Sequence, residues 1–283
     1  MTHYDPDALP VTGGVQRVTA DVWRVVAPNA GPLTGAGTNT YVITGACPVV
    51  IDPGSEDPAH LARVLEVAGG RAGRIFCTHS HPDHSPGATW LRERTGATVL
   101  GRPAPDDGHQ DRGYAPDRDI GDGERYPTPG GTLRALHTPG HASNHVCLLL
   151  EETGLLFTGD HLMSGSTVII IPPDGSMRLY LQSLQRLLEL PLAALAPGHG
   201  ARMPAALAEI ERVIAHRLAR EQRLLRALAA RGRATLDGLL PEVYADVPKF
   251  MHDYARYSLL AHAEKLVEDG QVRREDDDWV WCG

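Results

Sequence analysis

The stretch Thr78-His79-Ser80-His81-Pro82-Asp83-His84 places three imidazoles and one carboxylate within six positions. The apolar run Arg74-Ile75-Phe76-Cys77 directly before it is typical of a buried strand. Side chains at a strand end are held by a rigid scaffold and still face solvent, which suits metal ligands. The stretch therefore predicts a metal site at the end of a strand.

Four further side chains occupy the same setting, a turn at the end of an apolar run. They are Asp52, His141, Asp160 and His199. Neighbouring glycines let the backbone turn sharply, so that these side chains can point at one centre. Imidazole nitrogen suits zinc, while carboxylate oxygens also accommodate manganese or iron. The chain thus offers five histidines and two aspartates as candidate ligands, with Asp52 as a further acidic group close by.

Size and composition limit the class of protein. With 283 residues, 42% hydrophobic and 22% charged, the chain can form one large domain or a large and a small one. A net charge of −8 argues against holding nucleic acid by bulk electrostatics. The four cysteines lie far apart and form no Cys-x-x-Cys pair, and three of them lie in apolar, strand-like runs, which predicts buried free thiols in a reducing compartment. Without a signal region or an apolar run of about 18 residues, a cytoplasmic protein with no membrane span is expected.

The first two thirds of the chain alternates strands with helices. A helix is predicted after the turn at 52–55, with Leu61, Val64, Leu65 and Ala68 at helical spacing. Two more helices are predicted over 86–95 and 179–190. Residues 102–129 lack periodicity and predict a long loop at the rim of a substrate cleft. Residues 35–40 predict a tight hairpin beneath the site. Strands are predicted at 22–26, 41–44, 49–52, 74–77, 133–137, 145–150, 155–158 and 193–196.

The composition of the sequence changes after Pro204. Residues 205–231 are almost all helix formers with an apolar face, followed by Gly232, so one long helix is predicted. Beyond it, residues 235–281 have the order helix, helix and small hairpin, which is that of a winged helix-turn-helix. We therefore predict a domain over 1–205, then a helical linker and winged-helix-like domain over 206–283.

The order of the metal-binding blocks resembles the metallo-β-lactamase superfamily over roughly Val15 to Arg202. The resemblance implies an α/β (α+β) fold, a four-layer αββα sandwich, carrying here a small C-terminal winged-helix domain. It also implies the ligands of two metal ions. These are His79, His81 and His141 for the first ion, Asp83, His84 and His199 for the second, and Asp160 bridging both.

Two residues are expected beside this ligand set rather than in it. Asp52 is expected to orient a ligand histidine and fix its tautomer, and His145 to support the site from a strand start. Asp83 and His84 are expected to be essential for catalysis. Two divalent ions about 3.5–4 Å apart can share a hydroxide near neutral pH, so the sequence predicts a dinuclear hydrolase, with zinc as the first choice and manganese or iron as alternatives.

A finer resemblance concerns the substrate. The blocks Gly159-Asp160-His161 and Pro172-Pro173-Asp174-Gly175, together with the C-terminal region, are similar to lactamase-β-2-like proteins. This similarity implies an endoribonuclease acting on single-stranded RNA. Arg217, Arg220, Arg223 and Arg226 form the best basic stripe for such a substrate.

Two alternatives remain at this point. A thioester hydrolase resembling glyoxalase II fits the metal blocks, although that family's glutathione-binding Lys and Tyr have no counterpart after Asp160. A DNA-binding regulator acting through the winged helix is disfavoured, because acidic residues outnumber basic ones from Arg217 to Gly283. The expected partners are a small molecule or single-stranded RNA, with no membrane, and the sequence allows a homodimer.

Overall fold

A computed structural model describes residues 5–283 of the chain. The described chain divides into two compact units. The first takes in the chain up to Thr138 together with Asn144–Val168 and Glu189–Leu207, and the second comprises Pro139–Ser143, Ile169–Leu188 and Ala208–Gly283. These units describe packing, and the domain boundary between residues 205 and 206 stays a prediction.

The first unit contains a seven-stranded sheet whose strands follow one another in chain order. Strands β1 to β4 pair antiparallel, and β4 to β7 pair parallel. Its strands are β1 Val15–Arg17, β2 Val22–Val26, β3 Asn39–Ile43, β4 Val49–Ile51, β5 Arg74–Phe76, β6 Thr98–Gly101 and β7 Arg118–Asp119.

A five-stranded sheet, ordered β12-β11-β10-β9-β8, completes the β structure of this unit. Its pairs are antiparallel except β11 and β12. The strands are β8 Arg125–Thr128, β9 Gly131–His137, β10 Val146–Leu150, β11 Leu155–Gly159 and β12 Ala194–Pro197. The predicted strands of both sheets agree with these to within two residues at each end.

The alternation of apolar residues explains how the sheets pack. Tyr41 and Ile43 of β3 join one core with Phe157 of the second sheet, and the rings of Tyr41 and Phe157 lie 5.1 Å apart. Val42, which stands between Tyr41 and Ile43 in β3, points to the opposite face of the sheet, where it packs in a second core with Leu61. Because side chains alternate along a strand, one apolar run fills both cores.

Two helices cover that opposite face, namely α1 Pro58–Val67 and α2 Gly87–Thr95. The side chain of Asp57 accepts a hydrogen bond from the His60 N–H at 2.7 Å and so caps the start of α1. Gly96 ends α2 in the left-handed conformation, with φ of 69°. Both helices agree with their predictions.

One prediction about this unit is wrong in part. Residues 102–129 are not a single loop, because they include β7 and β8. Strand β8 was not predicted because Pro127 interrupts it. Proline is tolerated there, since β8 is the edge strand of its sheet. Tyr126 anchors it, being 4% exposed and paired with Leu133.

The second unit contains the remaining helices and a small antiparallel sheet, ordered β13-β15-β14. Leu228, Leu239, Leu259, Leu266 and Trp279 belong to its buried core. The predicted order of helix, helix and hairpin is confirmed, and β13 was too short and polar to be predicted. The elements are α3 Met177–Leu187, α4 Ala206–Arg231, β13 Arg233–Thr235, α5 Leu236–Val243, a 3₁₀ turn at Lys249–Met251, α6 His252–Glu268, β14 Val272–Glu275 and β15 Asp278–Trp281.

Helix α4 has no stretch that could cross a bilayer, and the same holds for every other helix within residues 5–283.

Replacing Phe157 by Ala should lower the free energy of unfolding by about 3–5 kcal/mol, because it leaves a cavity between the two sheets. The measurement is urea unfolding followed by tryptophan fluorescence. As a control, Leu33→Ala removes a side chain that is 40% exposed and should change stability by only about 0.5 kcal/mol. Equal losses in the two variants would contradict the packing described above.

Candidate metal centre

The predicted site forms where two parallel strands end. Strands β4 and β5 pair in parallel, and the N–H of Asp52, just past β4, donates to the carbonyl of Phe76, the last residue of β5, at 2.8 Å. Parallel strands end at the same sheet edge. Asp52 and the histidine-rich loop that follows β5 are therefore neighbours, although they are far apart in sequence.

Asp52 organises this edge. It is 2% exposed, and its φ of 49° lies in the left-handed region, which few residues other than glycine adopt. Its carboxylate accepts from the Thr78 N–H at 2.7 Å, from the Thr78 hydroxyl at 2.8 Å and from His84 Nδ1 at 3.0 Å. Hydrogen bonds to an ionised acceptor are stronger than neutral ones, so they compensate both the burial and the strained backbone.

These hydrogen bonds determine which ring nitrogen of His84 and of His79 is available to bind a metal ion. His84 donates from Nδ1 to a carboxylate, so Nε2 is left as the ligand atom. The Thr78 hydroxyl donates to Asp52, so its oxygen accepts from His79 Nδ1 at 3.0 Å. His79 therefore also presents Nε2. This is how groups beside a metal site fix the tautomers of its histidine ligands.

Four candidate ligand atoms from three separate loops converge at short range. His84 Nε2 lies 3.4 Å from Asp83 Oδ2 and 3.3 Å from Asp160 Oδ1. His199 Nε2 lies 3.2 Å from each of the same two oxygens. All four residues are candidates from the sequence.

These separations fit a metal ion. Ligands bonded at about 2.0–2.1 Å in a tetrahedron lie about 3.3–3.4 Å from one another. Direct ion pairs between imidazolium and carboxylate are shorter, at about 2.7–2.9 Å. Four edges of the expected tetrahedron are therefore in place.

Two groups of residues within the first unit have candidate ligand atoms that all lie within 4.8 Å of one another. They are His79, His84 and Asp160; and Asp83, His84 and His199. His84 and Asp160 share a group with His79, so the candidate ligand atoms extend beyond the four atoms above. The ring of His81 lies 4.6 Å from that of His79, and a site that these two residues share with His141 stays a prediction.

The protonation of the cluster is set by burial and by opposite charge. Burial, with a contribution from His84, holds the pKa of His79 well below its usual value, so that this ring is neutral. Burial also disfavours charge on His199, but the carboxylates of Asp160 and Asp83 outweigh it and raise the pKa of His199 to about 9. At His84 burial is likewise outweighed by the neighbouring carboxylates, which raise the pKa of His84, so a metal ion in this cluster would take the place of protons on His199 and His84.

The loop that carries His199 is held by residues that the sequence did not single out. Asn39 Nδ2 donates to the carbonyls of Pro197 and Gly200, both at 2.9 Å, and Tyr41 donates to Pro197 at 2.9 Å. The guanidinium of Arg24, a wholly buried residue, donates to Gly200 at 3.1 Å. The polar run Thr38-Asn39-Thr40 at the start of an apolar strand is the sequence feature that could have indicated this support.

The stretch 35–40 is not only the tight hairpin that was predicted. Gly31 and Gly35 do form an antiparallel bridge, but Thr38 bridges to His199. The Thr38 hydroxyl also donates to Asp83 Oδ2 at 3.2 Å. This stretch therefore supports a candidate ligand at each of its two contacts.

His145 lies beside the candidate ligands, where it supports the backbone of Asp160. Its Nε2 accepts from the Asp160 N–H at 3.2 Å, and its Nδ1 lies 2.9 Å from the Thr138 hydroxyl. Gly198 is required nearby, because a Cβ there would lie 2.7 Å from both Asp160 Oδ1 and His84 Cε1. The close packing of these loops leaves no room for a larger residue.

The irregular segment after β6, together with Asn144, holds the histidine-rich loop in place through hydrogen bonds. Ser80 donates to Gln110 at 2.6 Å, and Ser85 donates to Asp111 at 2.8 Å. Asn144 donates to the Ser80 hydroxyl at 2.7 Å. These bonds hold the loop that bears His79, His81 and His84, whereas the predicted role of residues 102–129 as a cleft rim stays a prediction.

His141 lies on the loop 139–143 of the second unit. Its Nδ1 is 2.7 Å from the carbonyl of Ile169. A carbonyl can only accept, so Nδ1 carries the proton and Nε2 is left as the candidate ligand atom here too.

The fold and the cluster together define a metal-dependent hydrolase of mixed α and β structure. Residues 33–199 match the metallo-β-lactamase superfamily, and residues 235–279 match the β-lactamase-associated winged helix domain. The chain belongs to the metallo-β-lactamase superfamily. The predicted family, fold class and hydrolase class are thereby confirmed.

Two relatives are informative. The chain is 31% identical over 273 residues to the beta-lactamase-like protein 2 homolog of Drosophila melanogaster, covering 92% of each chain. It is 33% identical over 226 residues to the atrochrysone carboxyl ACP thioesterase AgnL7 of Paecilomyces divaricatus, covering 78% of this chain and 68% of the relative.

Two solved structures are similar as well. A metallo-beta-lactamase family protein from Thermus thermophilus matches with a TM-score of 0.76 and 24% identity, covering 94% of this chain and all of the other, and it supports the fold alone. TTHA1623 in a di-iron-bound form matches with a TM-score of 0.53 and 29% identity, covering 65% of this chain and 95% of that protein.

Replacing Asp52 by Asn should weaken metal binding about 10–100-fold. The Thr78 N–H donates to Oδ1 of Asp52, whereas the Thr78 hydroxyl and His84 Nδ1 both donate to Oδ2. An amide has only one accepting oxygen, so it cannot serve both positions, and the candidate ligand rings lose their fixed tautomers. The measurement is a titration of metal-free protein with Zn²⁺ against a chromophoric chelator. Glu56→Gln makes the same change of charge at an exposed position and should leave the affinity unchanged. An Asp52→Asn variant that binds zinc as the parent does would contradict this role.

Proposed function

We propose that the chain is a dinuclear metal-dependent hydrolase whose substrates are acyl thioesters. His79, His81 and His141 would hold one ion, and Asp83, His84 and His199 the other, with Asp160 between them. The observation that carries the metal centre is the convergence of Asp83, His84, Asp160 and His199 at 3.2–3.4 Å, the proposed ligands of the second ion. Zinc is the first choice, because the ligands are mostly imidazoles, and manganese or iron are the alternatives.

When bound, two such ions supply a deprotonated water as nucleophile near neutral pH and polarise the scissile bond. The residues of the chain hold the site in shape for that chemistry. Asp52 and Thr78 keep the imidazole lone pairs of His84 and His79 aimed at the centre. Only two carboxylates, Asp83 and Asp160, stand among the proposed ligands, so positive charge remains to attract a polarised or anionic substrate.

The choice of an acyl thioester rests on two observations. A relative that is 33% identical over 78% of this chain is an ACP thioesterase. The absence from the sequence of a glutathione-binding Lys and Tyr after Asp160 favours a carrier-bound or coenzyme-bound acyl group over a glutathione thioester. Cytoplasmic location is also proposed, because Cys77 and Cys147 are buried free thiols.

A second candidate is an endoribonuclease on single-stranded RNA. Similarity to the beta-lactamase-like protein 2 homolog, which extends over 92% of both chains, favours it. The arginines of α4 do not add support as expected. Arg217 and Arg220 are only 2% and 4% exposed, and Asp246 pairs with Arg220 at 2.7 Å and with Arg223 at 2.9 Å. Buried and paired guanidinium groups are not a free surface for phosphates.

Asp83→Ala and His84→Ala should each reduce kcat to background, because each removes a proposed ligand. Circular dichroism should show that both variants remain folded. Asp106→Ala and His109→Ala change the same residue types at exposed positions of the neighbouring loop and should keep full activity. Full activity of Asp83→Ala or His84→Ala on any substrate would refute the proposed centre.

A substrate panel separates the two candidates. Zinc-loaded protein is incubated with acyl-CoA, an acyl-phosphopantetheine thioester, a glutathione thioester, a lactone and single-stranded RNA. We expect thiol release from the first two substrates, with loss of that activity in His199→Ala, since this variant lacks a proposed ligand. Cleavage of RNA without thiol release would replace the thioesterase proposal by the second candidate.

A further inference from the structure

The peptide group that joins Ile169 to Ile170 connects His141 to helix α6. Its carbonyl accepts from His141 Nδ1 at 2.7 Å, and its N–H donates to the hydroxyl oxygen of Ser258 at 3.3 Å. The peptide bond is trans, so its carbonyl and N–H point in opposite directions on one rigid plane. His141 and Ser258 therefore hold the two edges of the same plane.

We propose that Ser258 is a positioning residue for His141. By fixing the orientation of the peptide plane between Ile169 and Ile170, helix α6 sets the direction in which His141 Nε2 points. The inference rests on the proposed function in one respect, namely that His141 is a metal ligand. It gives the winged-helix region, residues 233–281, a role in the metal centre that requires no contact with substrate.

The peptide plane needs an external support. Ile170 lies in an irregular segment between β11 and α3, so neither a sheet nor a helix provides a partner for its N–H. Ile170 is wholly buried and Ser258 is 5% exposed. A buried N–H without an acceptor is costly, and the Ser258 hydroxyl supplies that acceptor. Polarisation through successive hydrogen bonds also strengthens the bond from His141.

Other contacts of the His141 loop hold its backbone rather than its ring. The Ser176 N–H donates to the Gly140 carbonyl at 2.8 Å, and the Ser183 hydroxyl donates to the Pro139 carbonyl at 2.8 Å. A Cβ on Gly140 would lie 2.4 Å from Tyr180 Cα, so the loop is closely seated on α3. Loss of Ser258 should therefore change the ring orientation of His141 without releasing its loop.

The test uses the full chain with Ser258→Ala and measures zinc affinity. Metal-free protein is titrated with Zn²⁺ against a chromophoric chelator. One of the two ions should bind about 3- to 10-fold more weakly, less than the loss expected for a direct partner of a ligand, because one peptide group intervenes. In the zinc-loaded protein, the NMR signal of the His141 Nδ1 proton should shift, whereas that of His84 should not.

Two further variants make the result specific. Ser258→Cys keeps the size of the side chain with a weaker acceptor and should give a smaller loss of affinity; it also replaces Ser258→Ala if that variant does not fold. Val272→Ala removes methyl groups from the core of the same unit without touching the peptide plane. It should lower the unfolding midpoint and leave zinc affinity at the parental value.

Three results would overturn the inference. Parental zinc affinity and an unshifted His141 signal in Ser258→Ala would show that Ser258 does not position the ring. Equal weakening in Val272→Ala would reduce the effect to lost stability. If His141→Ala itself leaves binding of both ions unchanged, the proposed ligand set is wrong and the inference falls with it, which separates the two failures.

Discussion

Three histidines are each held by the protein through the ring nitrogen Nδ1, and this constraint fixes which nitrogen each ring has available for a metal ion. Nδ1 of His84 donates to Asp52, Nδ1 of His79 to the Thr78 hydroxyl oxygen, and Nδ1 of His141 to the carbonyl of Ile169. Only Nε2 of each ring is then left to bind a metal ion. Because Asp52 and Thr78 are themselves buried and bonded to each other, the direction of the lone pairs is set before any ion arrives.

The fold brings these groups together through strand pairing. Parallel pairing of β4 with β5 places Asp52 beside the histidine-rich loop, and parallel pairing of β11 with β12 places Asp160 beside the His199 loop. The two sheets share one apolar core in which Tyr41 meets Phe157. Candidate ligands from distant parts of the chain therefore lie at strand ends that packing has already made rigid.

Much of this could be predicted from the sequence, because its strongest signals are local. Candidate ligands can be recognised from a few adjacent positions, in the pattern from His79 to His84 and in the glycine turns at His141, Asp160 and His199. Asn39 could not be predicted as a support, since its partner Pro197 is 158 positions away. Periodicity placed Arg217 and Arg220 on one helix but could not tell that both are buried. The assignment of ions to individual residues, and the domain boundary, stay predictions.

X-ray absorption at the zinc edge of the fully loaded chain tests the central claim most directly. Two ions per chain should appear, with nitrogen and oxygen ligands at about 2.0–2.1 Å, no sulfur at about 2.3 Å, and a second zinc at about 3.5–4 Å. A single ion, or a thiolate from one of the four cysteines in the coordination sphere, would contradict an account built on imidazoles held by Nδ1 and facing one shared centre.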